Sequence, residues 1–393
     1  QCPAGFVWRA RDPQKSIYPG EGQTDVFVMQ DHGPVYVQER HGERRHGTMQ
    51  DVINFYKLGQ TSRVNAIVGQ CTVDPHEVDG PNKHLLVTHQ LLRHTDKPIM
   101  SWPVATIGEN EKVFKMIEMV MGEGYLASHY FVTASVCALS PLQYAQESAD
   151  TIIAYARANQ PVTVLTAPMT GVSTPISDIG ALVAQNAELL AGIVLAQLVQ
   201  PGVPVIYGTA TYAADMRSGA FITGSPLSNL IDRAALQLAQ SLYHMPTRTL
   251  AGNTDAKVPD IQAGYGTMQN YIQLLMGGTH MINECLGILD GMMTVSYEKY
   301  IIDEEMLRRV GCMMRGLDTS EASFDMGVLL ETPHMEPFLM HESTLAACSG
   351  QWQPDVACWS NYDTWFAEGC PSILDRAAPH HGNRRQGRTR SLR

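Results

Sequence analysis

Charge is scarce in this chain, and what there is leans acidic. Asp, Glu, Lys and Arg make up 17% of the 393 residues, with 28 basic side chains against 39 acidic ones. Five of the arginines fall in the last ten residues, so the rest of the chain is more acidic still. A nucleic-acid ligand is excluded on that balance, because phosphate neutralisation needs a basic face. No apolar run reaches the ~20 residues of a membrane span. The longest, 187–200, carries Glu188 and Gln197 and reads as a core helix. A signal-peptide pattern is also missing, and the expected location is the cytoplasm. The eight cysteines are scattered without CxxC or HxxxH spacing, so neither a disulfide framework nor a metal site is expected. There is no GxGxxG turn after a first strand and no GxSxG elbow, which argues against a dinucleotide-binding open sheet and against acyl transfer.

What is present is a large apolar fraction, 44%, enough for a sizeable core. The segment SPLQYAQESADTIIAYARANQPVTVLTAP (140–168) holds a helix start, an amphipathic helix, a Pro-marked break and a buried strand. That grammar repeats. Strands are predicted at 64–70, 98–105, 129–136, 161–167, 204–210, 247–252 and 279–285, with helical patterns near 110–121, 142–158, 176–198, 226–243, 259–275 and 300–316. Seven strands with helical crossovers imply an α/β fold, a TIM (β/α)8 barrel, with a weak eighth strand beyond 316.

Ahead of it, VFVMQ (26–30) and PVYVQ (34–38) flank Asp31-His32-Gly33 and read as a β-hairpin. The organisation predicted is therefore an antiparallel β-hairpin and helix cap over 1–60, a barrel over 61–370 and a disordered basic tail over 371–393. The chain opens at Gln1, without an initiator Met and directly in sequence of folded type, which predicts a preceding segment.

In a barrel the strand C-termini point into one mouth, where side chains form the site. Reading them off gives Gln70, Cys71, Trp102, Thr106, Ser135, Cys137, Thr166, Met169, Thr170, Tyr207, Thr209, Tyr212, Asn253, Asp255, Lys257, His280, Asn283 and Glu284. Trp102 and Tyr207 also fit as packing, and Asp255 as a helix cap. Glu284 stands apart. A carboxylate in the apolar strand THMINEC must be paired, protonated or turned toward a cavity.

Long motifs in matching order are similar to the trimethylamine methyltransferase superfamily. They are CPAGFVWRARDP (2–13), NFYKLGQ (54–60), SPLQYAQESADTIIAYARANQPV (140–162), QNAELLAGIVLAQLVQPGVPVIYGTAT (185–211), DMRSGA (215–220), TDAKVPDIQAGY (254–265) and GILDGMMTVSYEKYIID (287–303). The resemblance implies a TIM barrel that passes a methyl group from a methylamine to a cobalt corrinoid on a separate small protein, and it implies a homo-oligomer. Founding members carry pyrrolysine, whereas this chain has the twenty standard residues alone. It thus resembles the glycine betaine type, which demethylates quaternary amines with cob(I)alamin as acceptor.

A quaternary nitrogen is already cationic and leaves as a neutral tertiary amine, so no general acid is required. The work left to the protein is to hold the ammonium and orient one N-methyl. On this reading Trp102, Tyr207 and Tyr212 are candidate cage walls. Glu284 and Asp255 are the catalytic candidates that supply complementary charge, and Asn253, Lys257 and His280 would hold a betaine carboxylate. No DxHxxG corrinoid signature occurs, so the corrinoid is expected on the partner protein. Proline betaine, carnitine, dimethylsulfoniopropionate and trimethylamine remain open as donors, as does a non-catalytic quaternary ammonium binder.

Overall fold

The structure, a computed structural model, describes residues 2–385 apart from residues 41 and 103, with the backbone alone for 383–385. Eight parallel strands close on themselves: β1 (Phe27–Met29), β2 (Asn65–Gly69), β3 (Ile99–Met100), β4 (Val132–Thr133, resuming as Ser135–Ala138), β5 (Val162–Thr166), β6 (Val205–Thr209), β7 (Thr247–Leu250) and β8 (Met281–Asn283). The first segment of β4 pairs with β3 and the second with β5, while β1 lies between β8 and β2. Each strand is followed by its crossover helix: α1 (Met49–Thr61), α2 (Lys83–His94), α3 (Ile107–Met121), α4 (Gln146–Arg157), α5 (Asp178–Val199), α6 (Pro226–Ser241), α7 (Ile261–Leu275) and α8 (Tyr297–Arg315). The chain is a (β/α)8 barrel.

Local sequence explains these elements. The VTVLT and VIYGT runs of β5 and β6 are buried throughout, as strands covered by helices outside and packed side chains inside must be. A capping box between Thr48 and Asp51 opens α1, and the Thr106 hydroxyl accepts from Glu109 N–H to open α3.

Two expectations are corrected. Residues 26–30 form the missing barrel strand rather than one arm of a hairpin with 34–38, since β1 pairs in parallel with both β8 and β2. Alternation over so few residues fits a hairpin arm or a barrel strand equally well, and Asp31-His32-Gly33 imitates a turn. Consequently no strand lies beyond 316 among the described residues, where short helical pieces occur instead. The antiparallel extension is built from Tyr36–Gln38 and Arg44–His46, joined in parallel by Thr294–Ser296, so inserts after β1 and β8 make one small sheet beside the mouth. Helix α2 is an addition to the predicted set. Of the predicted tail, Ile373–Arg385 is helix α9, packed on α1 and α8, and 386–393 lies outside the described residues.

The opposite end of the barrel is plugged. Residues 5–20 fold back on themselves through the Trp8–Ile17 and Gly5–Gly20 bridges, and Phe6 and Trp8 pack against Met29, Ile67, Met100, Ile206 and Met281 inside the barrel. Trp8 Nε1 donates to Phe131 O at 3.0 Å, just before β4 begins. With that end sealed, access to the interior is from the strand C-termini.

Candidate active site

A cavity of about 530 Å³ opens at the strand C-termini. Pairs two residues apart line it: Ser135 and Cys137 from β4, Leu165 and Ala167 at β5, Ala210 and Tyr212 after β6, and Arg248 and Leu250 from β7. This is the period of a strand whose alternate side chains face the barrel interior. Glu284 after β8, His32 after β1 and Met292 complete the walls used below.

Glu284 is fully buried, in a left-handed backbone conformation (φ 51°) that turns its side chain off the end of β8. Its carboxylate accepts from the His32 backbone N–H at 3.2 Å, and His32 Nδ1 lies 2.5 Å from Oε1. The preceding residue of the β1 loop secures this arrangement. Asp31 accepts from the N–H groups of Cys285 at 2.6 Å and Leu286 at 2.9 Å. Burial, and next the Glu284 charge, push the Asp31 carboxyl well above its usual range.

Arg248 sits deeper. It is 1% exposed, and its register partner on β6 is Gly208, which has no side chain to occupy the space opposite. A Cβ at Gly208 would meet Leu165 Cβ at 2.7 Å. The Arg248 Nη2 donates to Asn283 Oδ1, whereas Nε and Nη1 have no protein acceptor. Burial pushes the guanidinium below its ordinary value, and the Glu284 charge acts in the opposite sense. Leaving a buried charge without a counter-ion costs on the order of 3 kcal/mol. Nearby, desolvation in the cavity wall raises the Cys137 thiol to about 11.

Of the residues read off the strand ends, Ser135, Cys137, Tyr212 and Glu284 line the cavity, and Tyr212 Oη donates to Met292 Sδ at 3.2 Å. Trp102 lines an adjoining pocket of about 230 Å³ with Gln70 and Cys71, and this pocket shares His32 as a wall. The other residues given a role in the site lie elsewhere. Tyr207 has the opposite parity to Ile206 and Gly208, so it points outward and its hydroxyl donates to Asn186 Oδ1 of α5 at 3.0 Å. A three-ring cage is therefore not assembled. Asp255 accepts from the N–H of Thr223 at 3.1 Å and of Gly224, tying the loops after β6 and β7 together. Asn253 is buried behind the mouth, its carbonyl accepting from Asn270 Nδ2 at 2.8 Å, and Lys257 pairs with Asp290 on the surface at 2.6 Å. His280 precedes β8 at the plugged end, where its Nδ1 accepts from Thr247 N–H at 3.1 Å and burial lowers its pKa. Arg248 and His32 were not singled out. The signal for Arg248 was the one that marked Glu284, a charge inside a short strand.

Fold and cavity define a class: a (β/α)8-barrel enzyme whose pocket, at the catalytic end, sets one buried carboxylate and one buried guanidinium among apolar walls. The chain matches the trimethylamine methyltransferase (MTTB) family over residues 1–383, belongs to that family, and is a methyltransferase. It is 32% identical over 368 residues to the glycine betaine methyltransferase of Desulfitobacterium hafniense, covering 93% of this chain and 76% of that one. It is 33% identical over 297 residues to the proline betaine:corrinoid methyltransferase of Eubacterium limosum, covering 74% and 61%. The trimethylamine methyltransferase of Methanosarcina barkeri is 34% identical over 325 residues, covering 82% and 62%. Among solved structures, the monomethylamine methyltransferase of Methanosarcina barkeri superposes with a TM-score of 0.52 at 8% identity, over 98% of this chain and 78% of that one, a likeness of fold alone.

Proposed function

We propose that the protein moves a methyl group from a quaternary amine, glycine betaine or a similar onium compound, to cob(I)alamin on a separate corrinoid protein that docks over the mouth. The observation that carries this reading is Glu284 beside Tyr212 in an otherwise largely apolar cavity. A quaternary ammonium has no N–H to donate and no lone pair to accept. A carboxylate, a ring face and apolar walls are what it can meet. The names of the glycine betaine and proline betaine relatives point the same way.

A corrinoid protein docked at the mouth would supply the nucleophile for the methyl group, the C–N bonding pair staying on nitrogen. The residues of this chain bind and orient. Glu284 holds the cation, Tyr212 presents its ring, and Leu165, Leu250 and Met292 keep water off the reacting methyl. Positive charge disappears from the amine during transfer, so Glu284 contributes binding rather than acceleration. The loops after β4, β5 and β6 carry exposed Leu139, Leu142, Val172, Ile176 and Met216, an apolar rim that suits a protein partner.

A homo-oligomer in the cytoplasm is part of the proposal. The outer face of α5 exposes Ile179, Val183, Val194 and Leu198 without a charge among them, a surface that a second copy can cover without repulsion. The chemistry is tested by mixing the protein with cob(I)alamin and a panel of quaternary amines and following the absorbance change of cobalamin methylation. Turnover with at least one quaternary amine and none with trimethylamine is expected. Binding without any absorbance change would leave a quaternary ammonium binder instead.

A further inference from the structure

We infer that Arg248 is the carboxylate anchor of the site, and that the methyl donor is a zwitterion carrying both an onium centre and a carboxylate. This rests on the methyl-transfer reading above and narrows its substrate class. Three observations carry it.

The first is that the Arg248 guanidinium lines the cavity while 99% of the residue is withdrawn from solvent, with Nε and Nη1 lacking a protein acceptor and Nη2 bound only to the neutral amide of Asn283. No ion pair to Arg248 occurs among the described residues, and the carboxylate closest in the electrostatic sense, Glu284, is engaged by His32. A guanidinium offers five N–H donors in a fixed plane, and a carboxylate is the acceptor that suits it.

The second is spacing. Arg248 pairs in register with Met281, the first residue of β8, and Glu284 stands three residues further on, so the two backbones are about 10 Å apart along the barrel. The guanidinium reaches up from that level to Asn283, the residue before Glu284. Both charges therefore face one stretch of the cavity, where a zwitterion can set its carboxylate against Arg248 while its onium centre meets Glu284.

The third is charge. The buried charges of the cavity wall are one guanidinium and one carboxylate, the further carboxylate, Glu147, being exposed to solvent. A zwitterion satisfies both buried groups, whereas a simple cation leaves Arg248 unpaired and a dianion is opposed by Glu284. The residues that sequence reading set aside for this task, Asn253, Lys257 and His280, lie outside the cavity.

Calorimetric titration of the full chain with glycine betaine, proline betaine, carnitine, choline and tetramethylammonium tests the assignment. At least one carboxylate-bearing ligand binds about 10- to 100-fold tighter than choline, which keeps the trimethylammonium head and replaces the acid by a hydroxyl. Arg248→Met abolishes that preference, and Arg248→Lys retains part of it. If the variants do not fold, the wild-type series decides alone. Choline within threefold of the best carboxylate ligand, no binding by any carboxylate ligand, or an undiminished preference in a folded Arg248→Met would each overturn the assignment. Methyl transfer is read separately. Carboxylate-selective binding without methylation of cob(I)alamin would refute the methyl-transfer reading and leave the anchor standing, and turnover of choline and betaines at equal kcat/KM would do the reverse.

Discussion

His32 Nδ1 stands 2.5 Å from Glu284 Oε1, although 252 positions separate the two residues. Closure of the barrel makes this contact, because β1 and β8 are neighbours in the sheet. Glu284→Gln keeps the size of the side chain and an acceptor for the His32 N–H while removing the charge that faces the cavity. The KM for a quaternary amine is expected to rise about tenfold, equivalent to about 1.4 kcal/mol, with kcat changed little. Steady-state kinetics on the wild type and the variant check this. An unchanged KM would remove Glu284 from cation binding.

Between β6 and α6 lies a buried carboxyl whose titration is expected to affect stability. Asp232 of α6 accepts from Thr211 N–H at 3.0 Å, Thr211 Oγ1 at 2.7 Å and the Thr209 hydroxyl, pinning the end of β6. Burial raises its pKa to about 6, and these hydrogen bonds only partly oppose the rise. The folded state therefore binds this proton more tightly than the unfolded chain. The contribution is fully present below the unfolded value near 4 and is lost as pH rises through about 6. Relative to Asp232→Asn, the wild type should lose on the order of 2 kcal/mol between pH 4 and pH 6.5. Urea midpoints across that range measure the difference. Parallel curves for the two proteins would contradict it.

The outer face of α5 gives a prediction about assembly. Val183 and Leu198 are exposed on a helix whose inward side chains, among them Gln185, Glu188 and Leu189, are buried against the barrel. Val183→Asp and Leu198→Asp should leave the stability of the isolated fold within about 0.5 kcal/mol, since nothing within the chain covers either residue. Both should lower the mass seen by light scattering. A mass unchanged in the double variant would place the subunit interface on another face.

How far the sequence could be read follows the same physics. Strands β2 to β8 and most crossover helices are visible because each strand is a short β-branched run and each helix an apolar stripe. β1 was mistaken for a hairpin arm because three residues cannot declare their partners, and pairing in a barrel is settled by closure. The parity of Tyr207 was invisible for a related reason: β6 is buried on both faces, so hydropathy does not say which residues look inward. Glu284 was legible because a charge stands in a strand that begins with Met281 and Ile282 and runs on into Cys285 and Leu286. Arg248 was not, because Thr247 and Thr249 on either side make TRTL look like a strand edge in water, whereas all four residues are buried.

Trp8 tests whether the N-terminal plug is integral to the barrel. It is fully buried, packs with Phe6 against inward-facing side chains of β1, β2, β3, β6 and β8, and ties itself to the start of β4 through Nε1 and Phe131 O. Removing the indole in Trp8→Ala opens a cavity at the closed end and orphans a buried carbonyl. A loss of about 3–5 kcal/mol is expected, the range for truncating a large aromatic in a core. Because the plug lies at the end opposite the Arg248–Glu284 cavity, substrate KM at temperatures where the variant stays folded should be unchanged. Thermal melting and kinetics together check both halves. A melting temperature unmoved by Trp8→Ala would mean that the plug rests on the barrel without helping to hold it closed.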